Sequence, residues 1–258
     1  MSLPRRGYCT HRRYPTTSPR RGRVRYADQR RSPVNSYRRL VASALLVGAA
    51  LYSAWLFGPF VDPHSRSMSS YVSELAAVGR PYSTLFRCLD FVCGAVVLTA
   101  TAVVLRSRPQ RWLIRIGWCA VALFAAATVA DSLLPLSCAP HSDPTCAARE
   151  ASGDVPLTHE LHLASSGLAG FAAVVSAPAF TISAYRYSNH RVLQRIGLSI
   201  TALLLTSTAA ILGAIWLGEK GHPAAIGVIQ RVQLLAIAGG LVYVAGFVHY
   251  LRDDRNQQ

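Results

Sequence analysis

Six stretches of roughly 20 mainly apolar residues, near 40–60, 83–105, 113–135, 160–184, 195–217 and 226–250, dominate the chain, and each is long enough to cross a bilayer core of about 30 Å as a helix. Half of the 258 residues are hydrophobic and the charges crowd into the ends and loops, which argues against a soluble domain. Pro178, inside the fourth stretch, is tolerated better in a lipid-embedded bundle than in a soluble helix. The expected fold is all-α, a polytopic integral membrane protein with six transmembrane helices.

Arginine counting sets the expected orientation, because basic residues of short loops stay in the cytoplasm. Twelve Arg precede residue 40, four lie between the second and third spans (Arg106, Arg108, Arg111, Arg115), three between the fourth and fifth (Arg186, Arg191, Arg195), and two in the tail (Arg252, Arg255). That places 21 of the 27 basic residues on one side. Both termini are therefore expected in the cytoplasm of a plasma-membrane protein, and the net charge of +15 reads as an orientation signal. Residues 1–39 are rich in Arg, Pro and Ser without apolar periodicity, so they read as a disordered tail that lies on anionic headgroups. No aromatic-studded fold accompanies this charge, which argues against nucleic acid as a partner. The expected organisation is this tail, a six-helix domain over 40–252, and a short cytoplasmic tail over 253–258.

Cysteine usage fits that topology. Cys138 and Cys146, in SCAPHSDPTC, share the loop between the third and fourth spans, and on the outer side such a pair is expected to form a disulfide. Cys88, Cys93 and Cys119 lie within spans and read as small apolar residues.

RWLIRIGWCAVALFAAATVA from Arg111 and RVLQRIGLSITALLLTSTAA from Arg191 share Arg, Leu, Arg, Ile and Gly in register, 80 residues apart. Two explanations stand side by side: duplication of a helix pair, or convergence on arginine anchors and a packing glycine. The first outer loop, VDPHSRSMSSYVSELAAVGRPYS, carries helix-start chemistry at Ser70 with Glu74 behind it, so a short interfacial helix is expected there.

Ionisable residues inside spans are costly and count as functional candidates. Arg87 and Asp90 fall in the first turns of the second span, Asp131 near the end of the third, His159, Glu160 and His162 at the start of the fourth, and Gln230 with Arg231 early in the sixth. All share the outer half of the membrane, under a loop that carries Ser73 and Glu74. Three readings compete. In one, His159, His162 and Asp131 hold zinc, with Asp90 or Glu74 as further ligands. In another, Arg87, Arg231 and the histidines grip a phosphate or lipid headgroup. In the third, the groups pair structurally, and Thr158 caps the fourth helix.

SYVSELAAVGRP, DSLLPLSCAP, HELH and the QR pair of the sixth span resemble the bacterial membrane family known as domain of unknown function 998, over about residues 40–250. More distantly they are similar to six-span proteins of the Frag and DRAM type, some linked to remodelling of lipid anchors. The resemblance implies a six-span fold and points to Ser73, Glu74, Arg80, Asp131, His159, His162 and Arg231, without implying a reaction. Zinc hydrolases of the alkaline ceramidase type are a weaker parallel, since no third histidine follows within reach.

The leading expectation is a non-enzymatic protein that binds, presents or moves a lipid or envelope precursor through an outward-facing polar pocket, with Arg87 and Arg231 as anion contacts; zinc enters only with the second. The second is a metal-dependent lipid hydrolase, with Asp131, His159 and His162 on zinc and Glu74 as candidate general base. The third is an accessory subunit whose outer loops dock a protein partner of envelope assembly.

Overall fold

The structure is a computed structural model and describes residues 33–66, 69–219 and 225–250. The expected disordered tail falls mostly outside the described residues, as do the C-terminal tail and Cys9. The long helices are α1 (Pro33–Tyr52), α3 (Ser83–Arg106), α4 (Trp112–Leu133), α6 (Leu157–Tyr187), α7 (Arg191–Glu219) and α8 (Ile226–Tyr250), with the short α2 (Gly58–Val61) and α5 (Pro144–Ala151) between them. Among the described residues, six helical stretches are long and apolar enough to cross a membrane, the first running from Ser36 to Val61. Their placement agrees with the six expected spans, although α1 already begins at Pro33, within the basic segment.

The described residues are all-helical; α3 and α4, and α6 and α7, are joined by short connections, whereas longer loops link α1 to α3 and α4 to α6. α4 packs most extensively, against α3 on one side and α6 on the other, and α7 joins α6 to α8. α1 closes the bundle through Tyr52, edge-on to Phe124, and through the carbonyl of Gly48, which receives the Cys93 thiol at 3.2 Å. Large apolar side chains such as Leu85, Phe171 and Leu212 stay exposed around the bundle, as lipid-facing surface requires.

The arginine–glycine pattern shared by the third and fifth spans has a packing basis. A Cβ on Gly117 would meet the Phe180 ring at 2.8 Å, and one on Gly197 would meet the Tyr243 hydroxyl at 2.5 Å. Each glycine admits an aromatic ring from a neighbouring helix.

Two ends of the bundle differ. The turns at 107–111 and 188–190, flanked by Arg106, Arg115, Arg186 and Arg191, define the arginine end. The loops over 62–82 and 134–156 define the disulfide end, where Cys138 and Cys146 are bonded with Cα atoms 5.9 Å apart. Of the cysteines within spans only Cys93 is buried; Cys88 and Cys119 are exposed.

Candidate functional site

α6 has 31 residues, a length of about 46 Å against a hydrocarbon core of about 30 Å. The helix is thus long enough for its first turns to extend past the core at the disulfide end, which would keep the titratable residues of THELHLASSG out of hydrocarbon. Pro156 occupies the N-cap position and no side chain caps the helix, which corrects the expectation for Thr158.

The two histidines of this stretch diverge in role. His159 is fully buried, and its Nδ1 accepts from the Ser137 main-chain N–H at 3.1 Å and faces the Ser137 hydroxyl at 3.0 Å. Its Nε2 lies 3.9 Å from Glu150 of α5. His159 thus fastens the disulfide loop to α6. His162, one turn on, places Nδ1 2.8 Å from the Leu134 carbonyl and 3.4 Å from Asp131 Oδ1. A carbonyl only accepts, so this Nδ1 carries a hydrogen, and in the neutral ring Nε2 is a bare acceptor. That Nε2 is buried and has no hydrogen-bond partner.

Asp131 closes the α4 side of the same site. Its Oδ1 accepts from Ser165 at 2.6 Å and Ser166 at 2.8 Å, which points the carboxylate across the α4–α6 seam. Both hydroxyls come from the stretch just beyond HELH. Ser166, Asp131 and His162 line a cavity of about 120 Å³ together with Asp90 of α3, Thr128 and Gln233. Tyr52 and Trp55 supply aromatic wall, and the buried Trp55 Nε1 also lacks a partner.

The roof is the 3-10 helix Val72–Ala76, which presents Ser73 and Leu75 to the cavity. No side chain caps this helix; the Ser70 hydroxyl instead donates to the His64 carbonyl. The roof is held from three sides. Gln230 Oε1 accepts from the Val72 N–H at 2.6 Å. Glu74, 2% exposed, accepts from the His141 N–H and ring at 2.9 and 2.8 Å. Val78 N–H donates to the Leu136 carbonyl at 2.9 Å. Tyr71 stacks edge-on against His141, and burial, with the Glu150 and Glu74 carboxylates adding to it, pushes its phenol up to about 12.

The arginines expected as anion contacts do not line this cavity. Arg87 Nε donates to the Ser132 carbonyl at 2.9 Å, completing the end of α4. Arg231 donates to the carbonyls of Ser65 and Ser70, which ties the first loop to α8. Arg80 pairs at 2.7 Å with Asp62, a fully buried carboxylate in the same loop. Of the expected zinc ligands the structure brings together Asp131 and His162, while His159 turns to Ser137. Among the described residues no three His, Cys, Asp or Glu side chains converge as a metal set. Glu160 is exposed.

The family model described as "Protein of unknown function (DUF998)" matches residues 40–246, the whole bundle with the roof and both loops of the site. The chain belongs to the DUF998 family. No curated protein and no solved structure shows significant similarity to it. In this DUF998 member the motif residues Ser73, Asp131 and His162 line the cavity, whereas Glu74, Arg80, His159 and Arg231 hold the loops that cover it.

Sequence reading missed His141, Asp62 and the Ser165–Ser166 pair as working residues. The serines carried a usable signal, since they lie one turn beyond His162 on the face that meets α4. His141 and Asp62 carried none, because each finds its partner through loop geometry.

Proposed function

We propose that this protein binds the polar end of a membrane amphiphile, a lipid or envelope precursor, in the cavity under the Val72–Ala76 roof, and presents or moves it at the outer leaflet of the plasma membrane. The observation that carries this reading is the His162 Nε2, buried on the cavity wall without a partner. A buried polar atom left unpaired costs about 1–3 kcal/mol, and a ligand or water donor would satisfy it.

The wall chemistry selects the ligand. Among the described residues, Asp90, Asp131 and His162 line the cavity and no Arg or Lys does. Such a surface suits hydrogen-bond donors, hydroxyl or ammonium groups, better than a phosphate. Leu75, Ala169, Leu234 and Ile237 form the apolar part of the lining, which suits the first carbons of an acyl or prenyl chain. The orientation in this proposal rests on the arginine count, with the termini and the arginine end in the cytoplasm.

Lipids that copurify in mild detergent test the proposal. Mass spectrometry of extracts should find one class of hydroxyl- or amine-headed amphiphile enriched on the parent and depleted from folded Asp131→Asn and His162→Gln variants. Identical lipid profiles on all three proteins would contradict it.

A further inference from the structure

The arginine end of the bundle holds a second cavity, larger than the first at about 440 Å³ and within the range of about 300–1,000 Å³ typical of ligand pockets. It lies between the beginnings of α1 and α4 and the ends of α3, α6 and α8. Arg38, Arg108 and Arg111 stand on its wall, and among the described residues no Asp or Glu lines it. The Arg111 guanidinium lies 4.0 Å over the Tyr187 ring, a cation–π contact that holds its charge at the cavity wall.

The α3–α4 turn is built to present these groups. Arg108 has φ 49°, a left-handed conformation that non-glycine residues seldom adopt. The Arg115 side chain donates to the Pro109 carbonyl at 3.3 and 3.2 Å, bracing the turn from behind. Arg108 and Arg111 are exposed at the rim, whereas Val104, Ile114, Trp118 and Phe247 form a buried apolar floor. The site is cationic above and aromatic below, at the level where the spans end. Headgroup phosphates occupy that level in a bilayer.

We infer that this cavity binds a phosphate-bearing anion, clamped by Arg38, Arg108 and Arg111, with the headgroup and upper chain of an anionic phospholipid as the ligand its shape fits. Guanidinium forks match phosphate oxygens in pairs, and the Trp118–Phe247 floor takes the apolar remainder. This site is separate from the acidic cavity under the roof and stands whether or not that cavity binds an amphiphile.

Native mass spectrometry of the full chain released from detergent tests the inference, with dioctanoyl phosphatidylglycerol, dioctanoyl phosphatidylcholine and inorganic phosphate as probes. The parent should retain phosphatidylglycerol over phosphatidylcholine. The Arg108→Gln/Arg111→Gln double variant should weaken retention about thirtyfold, from the loss of two guanidinium contacts. Gly167→Ala, outside both cavities, should leave it unchanged, and the basic tail is the same in every variant. If the double variant does not fold, Arg108→Gln alone, at the exposed rim, should weaken retention about fivefold. Displacement of phosphatidylglycerol by equimolar inorganic phosphate would assign the site to soluble phosphate compounds, and failure to displace would assign it to lipid; both support the anion site. Equal retention of the two lipids, or retention by folded arginine variants equal to the parent, would overturn it.

Discussion

Glu74 and His141, 67 positions apart, meet through two hydrogen bonds on one carboxylate oxygen, from the His141 N–H at 2.9 Å and its ring nitrogen at 2.8 Å. This contact joins the roof of the cavity to the disulfide loop. His141→Ala removes one of the two bonds from a buried carboxylate and should lower unfolding stability by about 2 kcal/mol. Glu74→Gln keeps an acceptor oxygen and should cost about half as much. Thermal unfolding in detergent reads both, and an unchanged midpoint for His141→Ala would show that the roof does not depend on this contact.

The disulfide closes a short loop, Cys138 to Cys146, so by loop entropy its loss should cost about 2.5 kcal/mol. Thiol labelling of the unreduced, folded protein should spare Cys138 and Cys146, and reduction should make both reactive. Labelling of Cys138 without reductant would contradict the pairing.

The packing glycines make a graded prediction. Gly117→Ala forces a methyl into the Phe180 ring and should destabilise by about 1–3 kcal/mol, as should Gly197→Ala against Tyr243. Gly167, in the same bundle, has nothing within 4 Å of an added Cβ, so Gly167→Ala should be neutral or gain up to about 1 kcal/mol of helix propensity. Equal effects at the three sites would refute the packing account.

Tyr71 should give the roof an alkaline weakness. Its phenol is raised to about 12 in the folded protein from 10.0, so between those values the unfolded chain ionises while the folded one does not. Stability from this group is intact below pH 10 and falls as pH rises toward 12. Unfolding midpoints of Tyr71→Phe should therefore decline less steeply than the parent across that interval.

Much of the fold was legible in the sequence because span length is a direct physical requirement of the bilayer, and the six spans stand where the apolar runs lie. Depth was legible too: Asp90, Asp131 and His162 share one cavity as their positions along the spans implied. Direction was not. Arg87 and Arg231 sit at the right depth but turn to main-chain carbonyls, a choice made by neighbouring loop backbone that no periodicity records. HELH misled in the same way, since residues three apart share a helix face and yet His159 and His162 reach different partners.

The central claim is that the cavity of Asp90, Asp131 and His162 selects donor headgroups. Its most direct test is the thermal midpoint of the purified protein with short-chain amphiphiles bearing hydroxyl, ammonium or phosphate heads. The account predicts that hydroxyl or ammonium heads raise the midpoint and that Asp131→Asn and His162→Gln abolish the rise. A rise from the phosphate head that the same two variants abolish, or no rise from any donor head, would contradict it.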